Sequence, residues 1–218
     1  MARVSDGEKA PQRRRVPQQV RSRDRVERIL EVAGELVVAG GVESVTTRSI
    51  AAAAEIPVAS LYQYFADKES ILVALVERDL AEVERQVAED LAQVPVLSVA
   101  TMVDTTMRAF VKVYRRRPSC VVIFIRGRTN PVIRDYCRRH NQKMAHSLFL
   151  TAQRAGMVVP DSTGLYAELA VEVSDRLFQI AFETSLDGEP HVIDEAVALV
   201  TSYLETHATQ QGIVGVRR

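Results

Sequence analysis

The chain has 218 residues, of which 47% are apolar, and its 28 basic and 28 acidic residues give a net charge of zero. This length and composition support a folded core of one large or two small domains, and the neutral total excludes a generic nucleic-acid coat. The sequence contains no run of 18 apolar residues and no apolar signal segment at its start. We therefore expect a soluble, cytoplasmic protein that makes no membrane contact.

Charge is unevenly distributed along the chain. Residues 1–28 contain nine Lys or Arg and four acidic residues, so the remainder carries a net charge of −5. A basic end on an acidic body is typical of a protein in which one part meets phosphate. The two cysteines, Cys120 and Cys137, form neither a disulfide framework nor a metal-type pair.

Residues 1–22 are rich in Arg, Gln and Pro without apolar periodicity, which predicts a disordered basic arm. This arm could be a solubilising tail or could contact DNA. From Asp24 onward the apolar residues follow a helical spacing, and Gly40-Gly41 ends that helix. The residues on its apolar face are Val26, Ile29, Leu30, Ala33, Leu36 and Val37.

The segment 46–67 contains two short helical patterns and a tight connection. Thr46 can cap the first helix, and Glu55-Ile56 makes the turn. Pro57 fits the first position of a second helix, which we expect to end near Ala66-Asp67. This arrangement predicts a helix-turn-helix, whose second helix enters the DNA major groove.

Asp67 is expected to cap a long helix over 68–92, and further helices are predicted at about 97–116, 119–127, 131–155, 164–186 and 191–207. The β-branched run 120–125 could be a strand on propensity alone, but its helical neighbours favour a buried helix. The predicted fold class is all-α. The predicted domains are 23–67 and 68–208, followed by a disordered tail at 209–218.

The last two predicted helices are apolar over an unusually wide part of their circumference. Leu165, Leu169, Val173, Leu177 and Ile180 line one side of the first, and neighbouring positions are apolar too. Such a helix lies in the centre of its own core or is buried against a partner. We expect a homodimer formed through these last two helices.

The segment 24–72 resembles the N-terminal domain of the TetR family of transcriptional regulators. The matching residues are Thr46-Thr47-Arg48-x-Ile50-Ala51 and Ser60-Leu61-Tyr62-x-x-Phe65-x-x-Lys68-Glu69. Glu55 stands where the family often has Gly, and Pro57 stands where it often has Ser. The resemblance implies an N-terminal three-helix helix-turn-helix domain plus a C-terminal helical ligand-binding and dimerisation domain. It also implies a bacterial repressor that leaves DNA when it binds an effector.

The resemblance and side-chain chemistry together suggest DNA-binding roles. We expect phosphate or backbone contacts from the hydroxyl groups of Thr47, Ser60, Tyr62 and Tyr64 and from the ammonium group of Lys68. We expect base contacts from Arg48, Val58, Ala59 and Gln63. Tyr62 could instead pack inside the small domain, Arg48 could be a simple surface charge and Lys68 a solvated one. Ile50, Ile56, Leu61 and Phe65 should be core.

Two such domains on a two-fold axis would bind double-stranded DNA at a palindromic operator. The resemblance also implies a small apolar effector in the second domain. Candidate pocket residues are Met107, Phe110, Tyr114, Phe124, Met144, Phe149 and Phe178, although each could be ordinary core. Arg126, His140 and Asn141 could supply polar contacts.

Two other classes of protein compete with this interpretation. An enzyme is disfavoured because the sequence has no Gly-rich phosphate loop, His-Glu-x-x-His motif or nucleophile elbow. No cofactor and no metal is predicted, since Cys137 and His140 supply too few ligands for a structural zinc. The second alternative is a dimeric ligand-binding or adaptor protein that keeps a vestigial DNA-binding domain.

Overall fold

The computed structural model describes residues 16–159 and 163–217, which form an all-α protein. Its N-terminal part consists of α1 (Val16–Gly40), α2 (Thr47–Ala53) and α3 (Val58–Leu61). The helix α4 (Lys68–Ala92) joins this part to the C-terminal part. The C-terminal helices are α5 (Val99–Arg116), α6 (Pro118–Cys120), α7 (Pro131–Arg154), α8 (Leu165–Ala181), α9 (Pro190–Glu205) and α10 (Gln210–Val214).

Three helices begin with the same reciprocal cap. The side chains of Thr46, Asp67 and Ser98 each accept a hydrogen bond from the amide three residues later, before α2, α4 and α5 respectively. In each case the hydroxyl at that third position bonds back to the capping residue, which satisfies amides that the helix itself leaves free. The predicted caps at Thr46 and Asp67 are therefore present.

The start of α1 corrects the predicted arm. The helix begins at Val16, so residues 16–22 are helical, whereas the sequence predicted disorder through residue 22. Pro17 is tolerated in a first helical turn, and the Gln, Val and Arg residues that follow do not interrupt a helix. The rest of the predicted arm, residues 1–15, lies outside the described residues.

The C-terminal end also differs from the predicted disordered tail. Thr209 Oγ1 donates to Gly156 O over 2.7 Å and accepts from Gly212 N over 3.0 Å, which starts α10. The chain then forms β2 (Val216–Arg217), which pairs antiparallel with β1 (Val96–Leu97). These contacts are tertiary and leave no periodic pattern in the sequence. Only Arg218 of the predicted tail lies outside the described residues.

Three further boundaries differ from the predictions. Residues Val121–Arg126 continue α6 as a π-helix, so the strand alternative is wrong. The second helix of the helix-turn-helix is shorter than predicted, because α3 ends at Leu61 and turns follow; Pro57 is its N-cap. The helix α8 ends at Ala181 instead of 186, where Ala181 O accepts a bond from Glu189 N of the returning chain.

One continuous core runs from α1 through α9, with α4 packed chiefly on α5 and α8 packed on α7 and α9. Gly34 of α1 lies against Ser119 of α6, so the two parts of the chain are in direct contact. None of the helices within residues 16–159 and 163–217 is long and apolar enough to span a membrane.

Candidate DNA-binding surface and ligand cavity

The turn between α2 and α3 has a left-handed residue at its centre. Glu55 has φ 56°, Ile56 N donates to Ala51 O, and Glu55 N donates to Ala52 O. This is the hydrogen-bond pattern of a Schellman motif, in which the left-handed position usually holds Gly. The turn therefore has the geometry that glycine usually provides, although a glutamate occupies it.

The predicted core positions hold the two short helices together. Ile50 and Leu61 are fully buried, Phe65 is buried, and Ile56 is half-buried against the same core. Burial of these side chains fixes which face of α2 and α3 points outward.

The nine predicted DNA-contacting residues belong to α2, to α3 and the turns that follow it, and to the first turn of α4, and we call this predicted set the DNA-binding surface. Four of them are exposed: Arg48, Ala59, Tyr62 and Gln63. The other five are half-buried: Thr47, Val58, Ser60, Tyr64 and Lys68.

Two predicted phosphate contacts lie side by side on this surface. The hydroxyl oxygens of Thr47 and Tyr62 are 3.3 Å apart, although the residues come from α2 and from the end of α3. Tyr62 is 53% exposed, so the alternative of an aromatic packed inside the small domain is wrong. Within this pair one hydroxyl donates to the other, which leaves the proton of the second free to be donated to a phosphate oxygen.

Other residues of this surface differ in how much of each side chain could contact DNA. Lys68 is the first residue of α4, and its Nζ lies 4.0 Å from Oε2 of the exposed Glu43, which is a weak pair in water. Val58 and Tyr64 pack partly against the core, so less of each side chain can meet DNA than the sequence suggested.

The C-terminal part contains a cavity of about 100 Å³ between α5, the π-helix, α7, α8 and α9. The structure brings all seven predicted pocket residues together in its wall: Met107, Phe110, Tyr114, Phe124, Met144, Phe149 and Phe178. His140 and Asn141 line it too. Arg126 does not line it, because this residue is exposed and its Nε donates to Phe182 O over 2.8 Å.

Polar groups in the cavity wall are few. Asp175 accepts hydrogen bonds from Arg128 Nη2 and Gln179 Nε2, and Asn141 Nδ2 donates to Glu172 Oε1 over 3.3 Å. Burial lowers the pKa of His140 to about 4, so its imidazole is uncharged at neutral pH.

Sequence reasoning missed Thr106 and Asp175, which also line the cavity. Thr106 is a lone polar residue on the apolar face of α5, beside Val103, Met107 and Phe110. That interruption of an apolar face was the signal that could have identified it. Asp175 carried a comparable signal on α8, between Val171 and Phe178.

A polar junction joins the helix α4 to both parts of the chain. Arg78 Nη1 donates to Glu27 of α1 over 2.7 Å, and the neighbouring Asp79 accepts from Ser119 Oγ of α6 over 2.9 Å. Asp79 is fully buried, and desolvation raises its pKa despite the opposing effect of Arg78 and Ser119. The junction therefore couples α4 to α6 through a buried bond and to α1 through an exposed ion pair.

The outer face of α8 carries an apolar stripe. Its members are exposed although they are large: Leu165, Leu169, Val173 and Ile180, with Leu199 of α9 also exposed. We call these five residues the α8–α9 stripe.

Known proteins resemble the chain in both parts. The family model of bacterial regulatory proteins of the tetR family matches residues 29–75, and the model of a tetracyclin repressor-like C-terminal domain matches residues 98–204. A search of the curated proteins found no match.

Solved structures share the fold over most of the chain. A TetR-family transcriptional regulator from Streptomyces coelicolor is 26% identical, with a TM-score of 0.68 over 84% of this chain and 99% of that chain. A structure described as a TetR-family regulator from Syntrophomonas wolfei is 16% identical, with a TM-score of 0.66 over 85% and 96%. The fatty acid degradation regulator FadR from Bacillus halodurans is 14% identical, with a TM-score of 0.61 over 81% and 94%.

The last two similarities concern the fold alone, whereas the two family models cover the helix-turn-helix and most of the C-terminal part. These matches agree with the motif residues, the Schellman turn and the order of the helices. The chain belongs to the TetR family of transcriptional regulators, and it is a DNA-binding regulator and not an enzyme.

Proposed function

We propose that this regulator is a homodimeric repressor that binds a palindromic operator and is released by a small-molecule effector. One observation carries the proposal: the helix α4 begins at the DNA-binding surface and also bonds to the C-terminal part. Its Asp79 accepts a hydrogen bond from α6, and the π-helix that continues α6 forms part of the cavity wall. The proposed division is a DNA-binding domain over residues 23–67 and a ligand-binding and dimerisation domain over 68–208.

The DNA-binding surface supports contacts of two kinds. Thr47, Ser60, Tyr62, Tyr64 and Lys68 would hold phosphates, which positions the protein without selecting a sequence. The exposed Arg48 and Gln63 carry groups that match guanine and adenine edges in the major groove, and Ala59 fits a thymine methyl group. Val58 would make a smaller contact with the bases, because its side chain is half-buried.

Release by an effector requires that the cavity and the DNA-binding surface share a movable element. Phe124 lines the cavity and belongs to the π-helix that directly continues α6. Ser119 of α6 holds Asp79 of α4, and Arg78 beside it holds Glu27 of α1. A ligand that displaces Phe124 would therefore act on the helix that carries Lys68.

The α8–α9 stripe supports dimerisation. Large apolar side chains repeated along one face lose contact with water only if another surface covers them. A second copy of the same stripe would cover it on a two-fold axis and would place two DNA-binding surfaces for a two-fold symmetric site.

The alternative function is a ligand-binding or adaptor protein with a vestigial DNA-binding domain. The intact caps, the Schellman turn and the exposed Arg48, Tyr62 and Gln63 favour a working domain over a vestigial one.

The experiment is a gel shift with the DNA upstream of the protein's own gene. We expect a complex with one dimer per site, and we expect Tyr62→Ala combined with Lys68→Ala to weaken it by on the order of tenfold or more, since two phosphate contacts are lost. Arg138→Ala, which removes an exposed basic side chain of α7, is the matched control and should bind normally. If the double variant remains dimeric and binds as tightly as the wild type, the proposed surface is wrong. The basic residues before α1 would then be the next candidates for DNA contact.

A further inference from the structure

Two side-chain atoms in the cavity wall are buried without a hydrogen-bond partner among the described residues. They are Thr106 Oγ1 of α5 and His140 Nε2 of α7. Thr106 is 7% exposed and His140 is 8% exposed, so neither side chain reaches bulk water. Burying a hydroxyl or an imidazole nitrogen without a partner costs free energy, and native proteins rarely do it without a reason.

Both atoms lie in a wall that is otherwise almost entirely apolar. Two other polar side chains in this wall are already engaged within the protein, because Ser174 Oγ donates to Ala170 O and Asn141 Nδ2 donates to Glu172. Thr106 Oγ1 and His140 Nε2 are therefore two buried groups of the wall that a bound molecule could satisfy.

The charge of the wall limits what that molecule can be. Of the described residues that line the cavity, Asp175 alone carries a charged side chain, and its two oxygens accept from Arg128 and Gln179. A ligand carboxylate would meet no lysine or arginine in this wall, and a ligand cation would have to displace Arg128. An uncharged ligand neither buries an unpaired charge nor displaces Arg128.

The size and the composition of the wall limit the ligand further. The cavity of about 100 Å³ is smaller than the cavity of about 150 Å³ that accepts benzene in another protein. Met102, Met107 and Met144 line it, and their flexible side chains can move to admit a single ring.

On the proposed role of the cavity as the effector site, we infer that its ligand is a compact, uncharged, mainly apolar molecule with a hydroxyl group that is bound by Thr106 Oγ1, with His140 Nε2 as a second partner. A hydroxyl suits either atom because it both donates and accepts, so it can pair with the threonine hydroxyl and with either tautomer of a neutral histidine.

The test compares three single-ring probes: phenol, toluene and benzoate. Phenol and toluene have nearly the same shape and differ by a hydroxyl in place of a methyl group, and benzoate adds a charge. Dissociation constants are measured by calorimetry on the full chain for the wild type, for Thr106→Val combined with His140→Phe, and for Thr106→Val alone. The control is Ser174→Ala, which removes a hydroxyl of the same wall that is already bonded.

We expect the ratio of phenol affinity to toluene affinity to fall on the order of tenfold in the double variant and severalfold in Thr106→Val, since one or two hydrogen bonds to phenol are lost. The ratio should stay unchanged in Ser174→Ala, and benzoate should bind most weakly. Thr106→Val is isosteric, so it keeps the test valid if the double variant fails to fold.

The contradicting outcomes separate this inference from the proposed function. An unchanged ratio in both Thr106 variants, or tightest binding of benzoate, overturns the hydroxyl ligand but leaves the cavity as a binding site. Binding of no probe by the wild type overturns both. If phenol binds as expected while the operator complex survives saturating phenol, the inference stands and release by a ligand at this site fails.

Discussion

At the scale of single residues, Glu55 holds a backbone conformation that its side chain disfavours. Its φ of 56° places its Cβ near the following carbonyl, which costs a residue other than glycine roughly 1–2 kcal/mol. Glu55→Gly removes this cost, partly offset by the greater freedom of glycine in the unfolded chain. We expect the free energy of unfolding to rise by about 0.5–1 kcal/mol in urea titrations.

Ala52→Gly is the matched control for this prediction. Ala52 is also exposed, but it lies within α2, where glycine only adds freedom to the unfolded chain. We expect it to lose about 0.5–1 kcal/mol of stability. Equal destabilisation by both substitutions would show that Glu55 is not strained, and that its side chain contributes in some other way.

The residues of the cavity show what a sequence can and cannot reveal at this scale. The seven bulky residues predicted for the pocket all line the cavity, because long apolar side chains on the faces of several helices converge in a helical domain. Arg126 was wrongly predicted to contact a ligand, because the π-helix turns its side chain outward. The sequence does not reveal that this segment winds as a π-helix, which changes the direction of each side chain relative to an α-helix. Whether a core contains a cavity depends on how side chains pack, which periodicity does not encode.

At the scale of elements, the contact between α4 and α6 depends on a buried carboxylate. Burial raises the pKa of Asp79 above the value of 3.8 usual for an aspartate, and Arg78 and Ser119 only partly offset it. The folded protein therefore keeps the proton of Asp79 at pH values where the unfolded chain has lost it. The stability that this group contributes is full below pH 3.8 and is lost as the pH rises through the raised pKa.

We predict that Asp79→Asn abolishes this titration. The free energy of unfolding of the wild type relative to Asp79→Asn should then decline from acid to neutral pH, as measured by urea unfolding at several pH values. Ser119→Ala removes a hydrogen bond that lowers the pKa of Asp79, so it should extend the decline to higher pH. A difference that instead grows with pH would mean that Arg78 and Ser119 outweigh burial.

The elements divide into those that local chemistry specifies and those that tertiary contacts specify. Caps such as Thr46 and Asp67 act within three residues, so α2 and α4 begin where the sequence predicted. The ordered end of the chain depends on Thr209 bonding Gly156, over fifty residues away, and on β2 pairing with β1. No local pattern could have predicted this ordered end.

At the scale of the whole molecule, the proposed dimer joins two copies of the chain through the α8–α9 stripe, so that two DNA-binding surfaces act together. One small domain has too few base and phosphate contacts for tight specific binding, so operator affinity should depend on the dimer. Leu169 lies near the middle of the stripe on α8, with Leu165 and Val173 one turn to either side. A charge introduced there would be buried without a partner in the dimer but would be solvated in a monomer.

We therefore predict that Leu169→Arg converts the protein to a folded monomer and weakens operator binding by at least about a hundredfold, because a monomer holds only one half-site. Sedimentation would give the mass, circular dichroism the helical content and a gel shift the affinity. Val132→Arg is the matched control, since Val132 is equally exposed but lies at the start of α7, outside the stripe. If the Leu169→Arg variant remains dimeric, the dimer interface lies elsewhere. If it is a monomer that still binds the operator normally, specific binding needs only one DNA-binding surface.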